Sequence, residues 1–459
     1  MPVFVNRTLN MKKIKLIGFD MDYTLVPYNV EAFERLTYSL AQNRLVETLG
    51  YPEQVRTLEF DFNSAIVGLI IDKRNGFLLQ LSRYNKVKSS RFGTEEVPFS
   101  VQNKIYENRA VDLRDSDYVS LDTSFAISYG VLFSQLVQLK KEGVDLPDFY
   151  QLEGDVMEAI DSLHKDDTLK SELRKDFPTY VIKDSRVGKM LERYKNAGKK
   201  LMLITNSDYG YTRTLLDYAL NPFLEKHSRW QDVFDIVITL ADKPKFFEQK
   251  GRFLNIDLES GLMSNHEGPV TEGLYQGGCS RVLQADLGLA GSEILYLGDH
   301  IYGDVVSIKK QCGWRTALVL GDLEVEMEGL RKSQVVQETI DSLMEEKEEL
   351  ENNINLIDIK KYEGKPANRG QLDELYRSID ALNSRISDLI SQYRKFFNPY
   401  WGEILRAGSE ESRYAEQVEK YACIYMTRVS DLYDHSPRTY FRPRKRILPH
   451  EATAWSCRE

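Results

Sequence analysis

Two aspartates spaced two apart, Asp20 and Asp22, lie in the segment Ile17-Gly18-Phe19-Asp20-Met21-Asp22-Tyr23-Thr24-Leu25. The run Lys15-Leu16-Ile17-Gly18-Phe19 has strand character, so both carboxylates fall where a strand opens into a loop. Open α/β sheets do their chemistry at such ends. At this spacing one carboxylate can ligate a hard cation while the other moves a proton, and an aspartate can also attack phosphorus to form an aspartyl-phosphate. Alone the pair says little, because Asp-x-Asp recurs by chance in a chain with 70 acidic residues.

Three later segments repeat the layout. Leu201-Met202-Leu203-Ile204 runs into Thr205-Asn206-Ser207, where a hydroxyl at a strand end and the start of a helix suit a phosphate oxygen. Phe234 to Leu240 precedes Ala241-Asp242-Lys243-Pro244, and an ammonium there neutralises a phosphoryl group as a point charge. Ile294-Leu295-Tyr296-Leu297 leads into Gly298-Asp299-His300-Ile301-Tyr302-Gly303-Asp304, with two more carboxylates. Each has a plainer role when taken singly: an N-cap for Thr205, a solvated charge for Lys243, a turn aspartate for Asp299. Four such units in order are hard to dismiss.

In this order the four motifs resemble those of the haloacid dehalogenase superfamily. More closely, Gly18-Phe19-Asp20-Met21-Asp22-Tyr23-Thr24-Leu25, Thr205-Asn206-Ser207-Asp208-Tyr209, Lys243-Pro244-x-Phe246-Phe247 and Gly298-Asp299-His300-Ile301-x-Gly303-Asp304 are similar to the cytosolic purine 5′-nucleotidases that prefer IMP and GMP. Tyr275-x-Gly277-Gly278, Gly313-Trp314-Arg315-Thr316 and Leu448-Pro449-His450-Glu451 spread the similarity over most of the chain.

The resemblance implies an α/β, Rossmann-like core with an inserted, mostly helical cap and a helical C-terminal extension. It implies Mg²⁺-dependent hydrolysis of purine nucleoside monophosphates through an aspartyl-phosphate, with a broader phosphatase or nucleoside phosphotransferase as the alternative. Asp20 becomes the nucleophile, and Asp22 the acid and then the base. The metal would rest on Asp20, the backbone carbonyl of Asp22 and Asp299, with Asp304 nearby. Thr205, Asn206, Lys243 and Lys183 would meet the phosphate. In the cap, Asp161 and His164 share one helix face in a stretch similar to the family's base-binding segment, Phe125 lies in a stretch that more loosely resembles the stacking position, and Met157 stands where the family carries an arginine. The family's habit also implies a homo-oligomer. A nucleotide-binding scaffold without turnover is disfavoured, since Asp20, Asp22 and Lys243 are all kept.

The elements that must position these residues follow from size and pattern. At 459 residues two or three units are expected. A net charge of -9 disfavours an extended nucleic-acid surface, though a local cationic pocket can still hold a mononucleotide. Cys279, Cys312, Cys423 and Cys457 are far apart and form no Cys-x-x-Cys pair, which points away from zinc or a disulfide framework and fits a reducing cytoplasm. No signal-peptide core and no membrane-spanning run is expected.

Strand-then-motif units occupy only residues 1–35 and 178–335, so residues 36–177 are expected to form the inserted cap and 336–459 the extension. Within the cap, a helix is expected from Val30 to Gly50, strand character at 76–81 and helices over 120–175. The core resumes at Tyr180-Val181-Ile182-Lys183-Asp184 with a capped helix from Ser185 to Ala197, and 250–278 reads as a β-type excursion from the core. Leu372, Leu375, Ile379, Leu382, Ile386, Leu389, Tyr393 and Phe396 form an apolar seam in steps of three and four. Ile340, Leu343, Leu350, Ile354 and Ile357 echo it, and Gly364 to Gly370 breaks the helix between them. A helical hairpin and a subunit-joining coiled coil both fit. The basic cluster Arg442-Pro443-Arg444-Lys445-Arg446 is assigned no function.

Overall fold

The computed structural model describes residues 3–107, 110–257, 260–365, 369–445, 447–448 and 450–451. Pro366, Ala367 and Asn368 of the helix break, Arg446 of the basic cluster, Pro449 and Cys457 lie outside the described residues. The chain divides into two compact units, Met1–Gly321 with Leu405–Glu459, and Asp322–Ile404.

A ten-stranded sheet organises the larger unit. In chain order its strands are β1 (Phe4–Val5), β2 (Leu16–Phe19), β3 (Lys200–Ile204), β4 (Ile236–Thr239), β5 (Phe253–Ile256), β6 (Met263–Asn265), β7 (Gly273–Gly277), β8 (Ile294–Gly298), β9 (Arg315–Val319) and β10 (Ile424–Met426). Across the sheet the order is β1-β10-β9-β8-β2-β3-β4-β7-β5-β6. From β10 to β7 every neighbouring pair is parallel. All residues of β2 and β8 are buried, as expected for apolar runs in a parallel sheet covered on both faces. The chain leaves β2 toward β3 and β4 and later returns to β8 on the other side, so β2 lies at a topological switch point, where doubly wound sheets open a crevice at the strand carboxyl ends.

Gly18 is part of that design. A Cβ on Gly18 would come within 2.7 Å of Tyr296 Cδ2 and 2.8 Å of Met202 Cε. The missing side chain lets the Tyr296 ring lie across β2, with its hydroxyl donating to Ile204 O at 3.1 Å.

The segment between β2 and β3 holds α1 (Val30–Glu47), α2 (Ile127–Lys141), α3 (Phe149–Lys165) and α4 (Thr168–Lys175). It also holds a five-stranded sheet of its own, so the cap is mixed, with the 76–81 stretch appearing as the strand Phe77–Leu81. Its two connections to the core pair with each other: Asn29 N donates to Tyr180 O, Ile182 N to Pro27 O, and Tyr28 bridges Val181. The hinge therefore lies at about residues 28 and 181.

Two sequence expectations change. Residues 250–278 are no excursion, because β7 pairs in parallel with β4 and carries β5 and β6, so the stretch extends the core sheet. The region 336–459 is not one helical extension. The buried run Ala422-Cys423-Ile424 and Met426 returns to the core as β10, a strand whose apolar signal is short enough to be masked by the charged helices before it. The segment preceding β10 straps the cap, with Gln80 Nε2 donating to Arg406 O and Arg83 N to Glu411 O.

The smaller unit is a hairpin of α5 (Leu323–Tyr362) and α6 (Arg369–Arg394), beginning earlier than residue 336. Leu343, Leu382 and Ile386 form its buried centre, with Leu350 and Leu389 packed beside them. Much of both seams is thus consumed within one chain. The described part of the basic cluster is exposed, with Arg442 lying over the Tyr440 ring at 4.3 Å.

Gly18→Ala should lower stability by about 1–3 kcal/mol through overpacking against Tyr296 and Met202. A urea midpoint equal to wild type would refute the close approach.

Candidate active site

The four motif segments converge at the carboxyl ends of adjacent parallel strands. Asp20 follows β2, Thr205 follows β3, Lys243 lies beyond β4, and Asp299 and Asp304 follow β8. Under the cap they line a cavity of about 960 Å³ together with Asp22, Asn206, Phe125, Asp161 and His164. That volume accommodates a nucleotide-sized ligand.

At the floor, the Lys243 ammonium sits 2.8 Å from Asp20 Oδ1, 2.9 Å from Asp304 Oδ1 and 3.2 Å from the Tyr296 hydroxyl. Lys243 and Asp304 are almost fully buried. Gly298 makes this possible, since a Cβ there would overlap the Asp304 side chain. Asp20 Oδ1 also accepts from the Met21 amide at 2.7 Å. Asp299 accepts from Thr24 Oγ1 at 3.4 Å and, from the cap, Thr123 Oγ1 at 2.9 Å.

Carboxylate oxygens of Asp20, Asp299 and Asp304 lie within 4.8 Å of one another. Burial, partly offset by Lys243 and reinforced by Asp304, lifts the Asp20 carboxyl to about 6. Asp299 is pushed well above the usual carboxylate range by burial and by repulsion from Asp20 and Asp304. Lys243 stays protonated, because the two carboxylates outweigh the burial that opposes its charge. Three carboxylates face one ammonium, so the site carries excess negative charge and only hard oxygen donors. That donor set fits a small divalent cation.

Asp22 points elsewhere. Its Oδ1 accepts from the Tyr28 hydroxyl at 2.6 Å and its Oδ2 from Ser207 Oγ at 3.1 Å. Burial raises its carboxyl to about 6 against the pull of those donors. Its side chain is outside the acidic cluster, so only its backbone remains for the metal role expected above.

The remaining expected residues separate. Thr205 is buried, its hydroxyl accepting from Ser207 N at 3.0 Å. Asn206 is not free for phosphate through its amide, which exchanges hydrogen bonds with the Lys243 backbone (Nδ2 to O, 3.1 Å; Lys243 N to Oδ1, 2.7 Å) and so fixes the loop that aims the ammonium. Lys183 is outside the cavity: it is exposed, its ammonium 3.8 Å from the Tyr218 ring centroid. Burial is the reason, since Val181 turns inward at the hinge bridge while Ile182 and Lys183 face out.

Phe125 meets Tyr23 edge-on at 4.2 Å and His164 at 6.1 Å. Burial, then Lys170, lowers His164 to about 4, so it is a neutral imidazole near pH 7. Asp161 is exposed at the rim, 3.6 Å from Lys165.

Lys170 and Arg174 of α4 were not anticipated. Lys170 pairs with Asp208 at 2.9 Å, and both cations lie over the Tyr211 ring. Lys170 lies six residues beyond His164, a spacing that carries no periodic signal across the start of a new helix. Thr123, Tyr28, Ser207 and Tyr211 were missed because each acts through a partner distant in sequence.

The model of the 5′ nucleotidase family matches residues 3–453. The chain belongs to the 5′ nucleotidase family. It is 28% identical over 459 residues to a 5′-nucleotidase domain-containing protein of Dictyostelium discoideum, covering 98% of this chain and 74% of that one. Similar solved structures include a β-phosphoglucomutase from a Pyrococcus species (12% identity, 66% of this chain and 86% of that chain, TM-score 0.31). A haloacid dehalogenase superfamily hydrolase from Geobacter sulfurreducens is another (12% identity, 67% and 87%, TM-score 0.27). As a member of its family the protein is a phosphomonoester hydrolase. Among the described residues no helix is long and apolar enough to cross a membrane.

Two outcomes follow for the purified protein. Millimolar Mg²⁺ should raise the melting temperature of wild type, by an amount equivalent to about 2.7 kcal/mol at a hundredfold excess over Kd. Asp304→Asn should abolish most of that shift; an unchanged shift would place the ion elsewhere. Asp22 titrates higher folded than unfolded, so its contribution to stability is present below about pH 4 and lost as pH rises through about 6. In metal-free protein Asp22→Asn should therefore be more stable than wild type at pH 7, with the gap closing toward pH 4. A gap that widens on acidification would refute the raised value.

Proposed function

We propose that the protein is a Mg²⁺-dependent 5′-nucleotidase acting on 6-oxopurine nucleoside monophosphates through an aspartyl-phosphate. The observation that carries this reading is the buried Asp20–Lys243–Asp304 contact at the floor of a cap-covered cavity, where a nucleophile and a phosphate-binding cation share one point. Attack by Asp20 on a phosphate monoester brings anion against anion. Mg²⁺, held by Asp20, Asp299 and Asp304, supplies charge neutralisation and phosphate orientation when bound. Lys243 and Thr205 would hold phosphoryl oxygens, with contacts that tighten as charge spreads in the transition state. Asp22 would protonate the ribose 5′-oxygen and then take the proton of the attacking water. Lys170, at the cap-core junction, is the better second phosphate-side cation than Lys183.

The purine preference is supported by the opposite wall. Phe125 offers a ring face, neutral His164 a hydrogen-bonding imidazole, and Asp161 an acceptor for a base N–H such as a 6-oxopurine presents. A broader phosphatase or a nucleoside phosphotransferase uses the same core, because a nucleoside acceptor can replace water in breaking the acyl phosphate. Self-association belongs to this reading through family resemblance, and light scattering at micromolar concentration tests it: a mass near 53.1 kDa throughout would refute it.

Phosphate release from IMP or GMP should exceed that from AMP or CMP and stop with EDTA, in a panel run with and without inosine as acceptor. A flat base profile would sink the substrate assignment and leave the reaction class. Asp20→Asn should abolish turnover, and Asp22→Asn should reduce it by about 10²- to 10⁴-fold with IMP binding kept. Residual hydrolysis near wild type in Asp20→Asn would refute the nucleophile.

A further inference from the structure

Tyr28 stands on one of the two segments that join core to cap, bridged to Val181 on the other. Its hydroxyl donates to Asp22 Oδ1 at 2.6 Å. That bond uses its only proton, so in the 3.0 Å contact between the two phenols Tyr211 is the donor. Ser207 Oγ donates to the other Asp22 oxygen, so both are held at once. The Tyr28 ring is itself confined. It stacks on Tyr23 at 5.0 Å and meets Phe33 edge-on at 5.2 Å. Phe125 closes the cluster against Tyr23 and Phe33. A phenol held this way has one direction in which to point, and that direction is Asp22.

An acid two residues from another carboxylate is repelled by it and free to rotate unless donors hold it. Proton transfer to a leaving oxygen depends steeply on that placement. We infer that Tyr28 is a positioning residue: its hydroxyl, backed by Tyr211, holds the Asp22 carboxyl in the orientation that protonates the leaving alkoxide, and its seat on the paired linkers ties that orientation to the cap. This rests on the reading of Asp22 as the general acid.

Leaving-group dependence tests it. A ribose 5′-alkoxide must be protonated as it departs, whereas 4-nitrophenolate leaves without help, so a merely structural loss would affect both substrates alike. Tyr28→Phe keeps the ring packing and removes one hydroxyl. It should lower kcat/KM for IMP by about 10- to 100-fold, the scale of a misplaced catalytic group. For 4-nitrophenyl phosphate the change should stay within about threefold. Tyr211→Phe should give the same selectivity with a smaller loss, and Tyr28→Phe should add nothing in the Asp22→Asn background. Equal losses on both substrates, or full additivity in the double variant, would overturn the inference. If Asp22→Asn is selective and Tyr28→Phe is not, the inference alone fails. If Asp22→Asn lowers kcat/KM equally for both substrates, the acid assignment fails and takes the inference with it. Matching melting curves confirm that the comparison concerns folded proteins.

Discussion

Lys243 is the constraint on which the site depends. Its ammonium is buried between Asp20 and Asp304, and neither the cation nor the carboxylates could be tolerated there alone, since an unpaired buried charge costs several kcal/mol. The contact requires three strand ends, those of β2, β4 and β8, to meet at one point. It also requires two glycines: Gly298 leaves room for Asp304, and Gly18 lets Tyr296 reach across β2 to Lys243. Asn206 completes the arrangement by gripping the Lys243 backbone rather than any ligand.

The balance is deliberately incomplete. Asp299 joins the cluster without an ion-pair partner among the described residues, and two threonine hydroxyls donate to it. One of them, Thr123, comes from the cap, as do Phe125, Asp161 and His164 on the cavity wall. Core and cap therefore divide the work: the sheet concentrates negative charge where phosphorus must be neutralised, and the insert supplies aromatic and polar surface above it. Lys170 on Asp208 and the hinge bridge at Tyr28 and Val181 hold the two together close to the chemistry.

Most of the core was legible in the sequence because its signals are local. A buried parallel strand is a short apolar run, and a motif that follows it is thereby placed at a carboxyl end; Asp20, Thr205 and Asp299 come directly after their strands, and Lys243 and Asp304 lie farther along the same connections. Asp161 and His164 were singled out by resemblance to a base-binding segment, and helix spacing put them on one face; both line the cavity. Lys183 failed for the complementary reason. Near the hinge, facing depends on how two linkers pair, and one residue's rotation decides between cavity and solvent. The return of Ile424–Met426 to the sheet was similarly hidden, because a three-residue strand has too little pattern to stand out beside a 40-residue helix.

By itself the sequence determined the reaction class, the order of the motifs and the strand ends that carry them, since each is encoded in contiguous residues. It also determined that two apolar seams exist. Only the tertiary structure decided that those seams face each other, that Lys170 and not Lys183 reaches the cavity, and that Asp22 is held by Tyr28 and Ser207. These pairings join residues up to 185 positions apart. No local periodicity encodes a distance of that kind; it exists only once the sheet has brought the strand ends together.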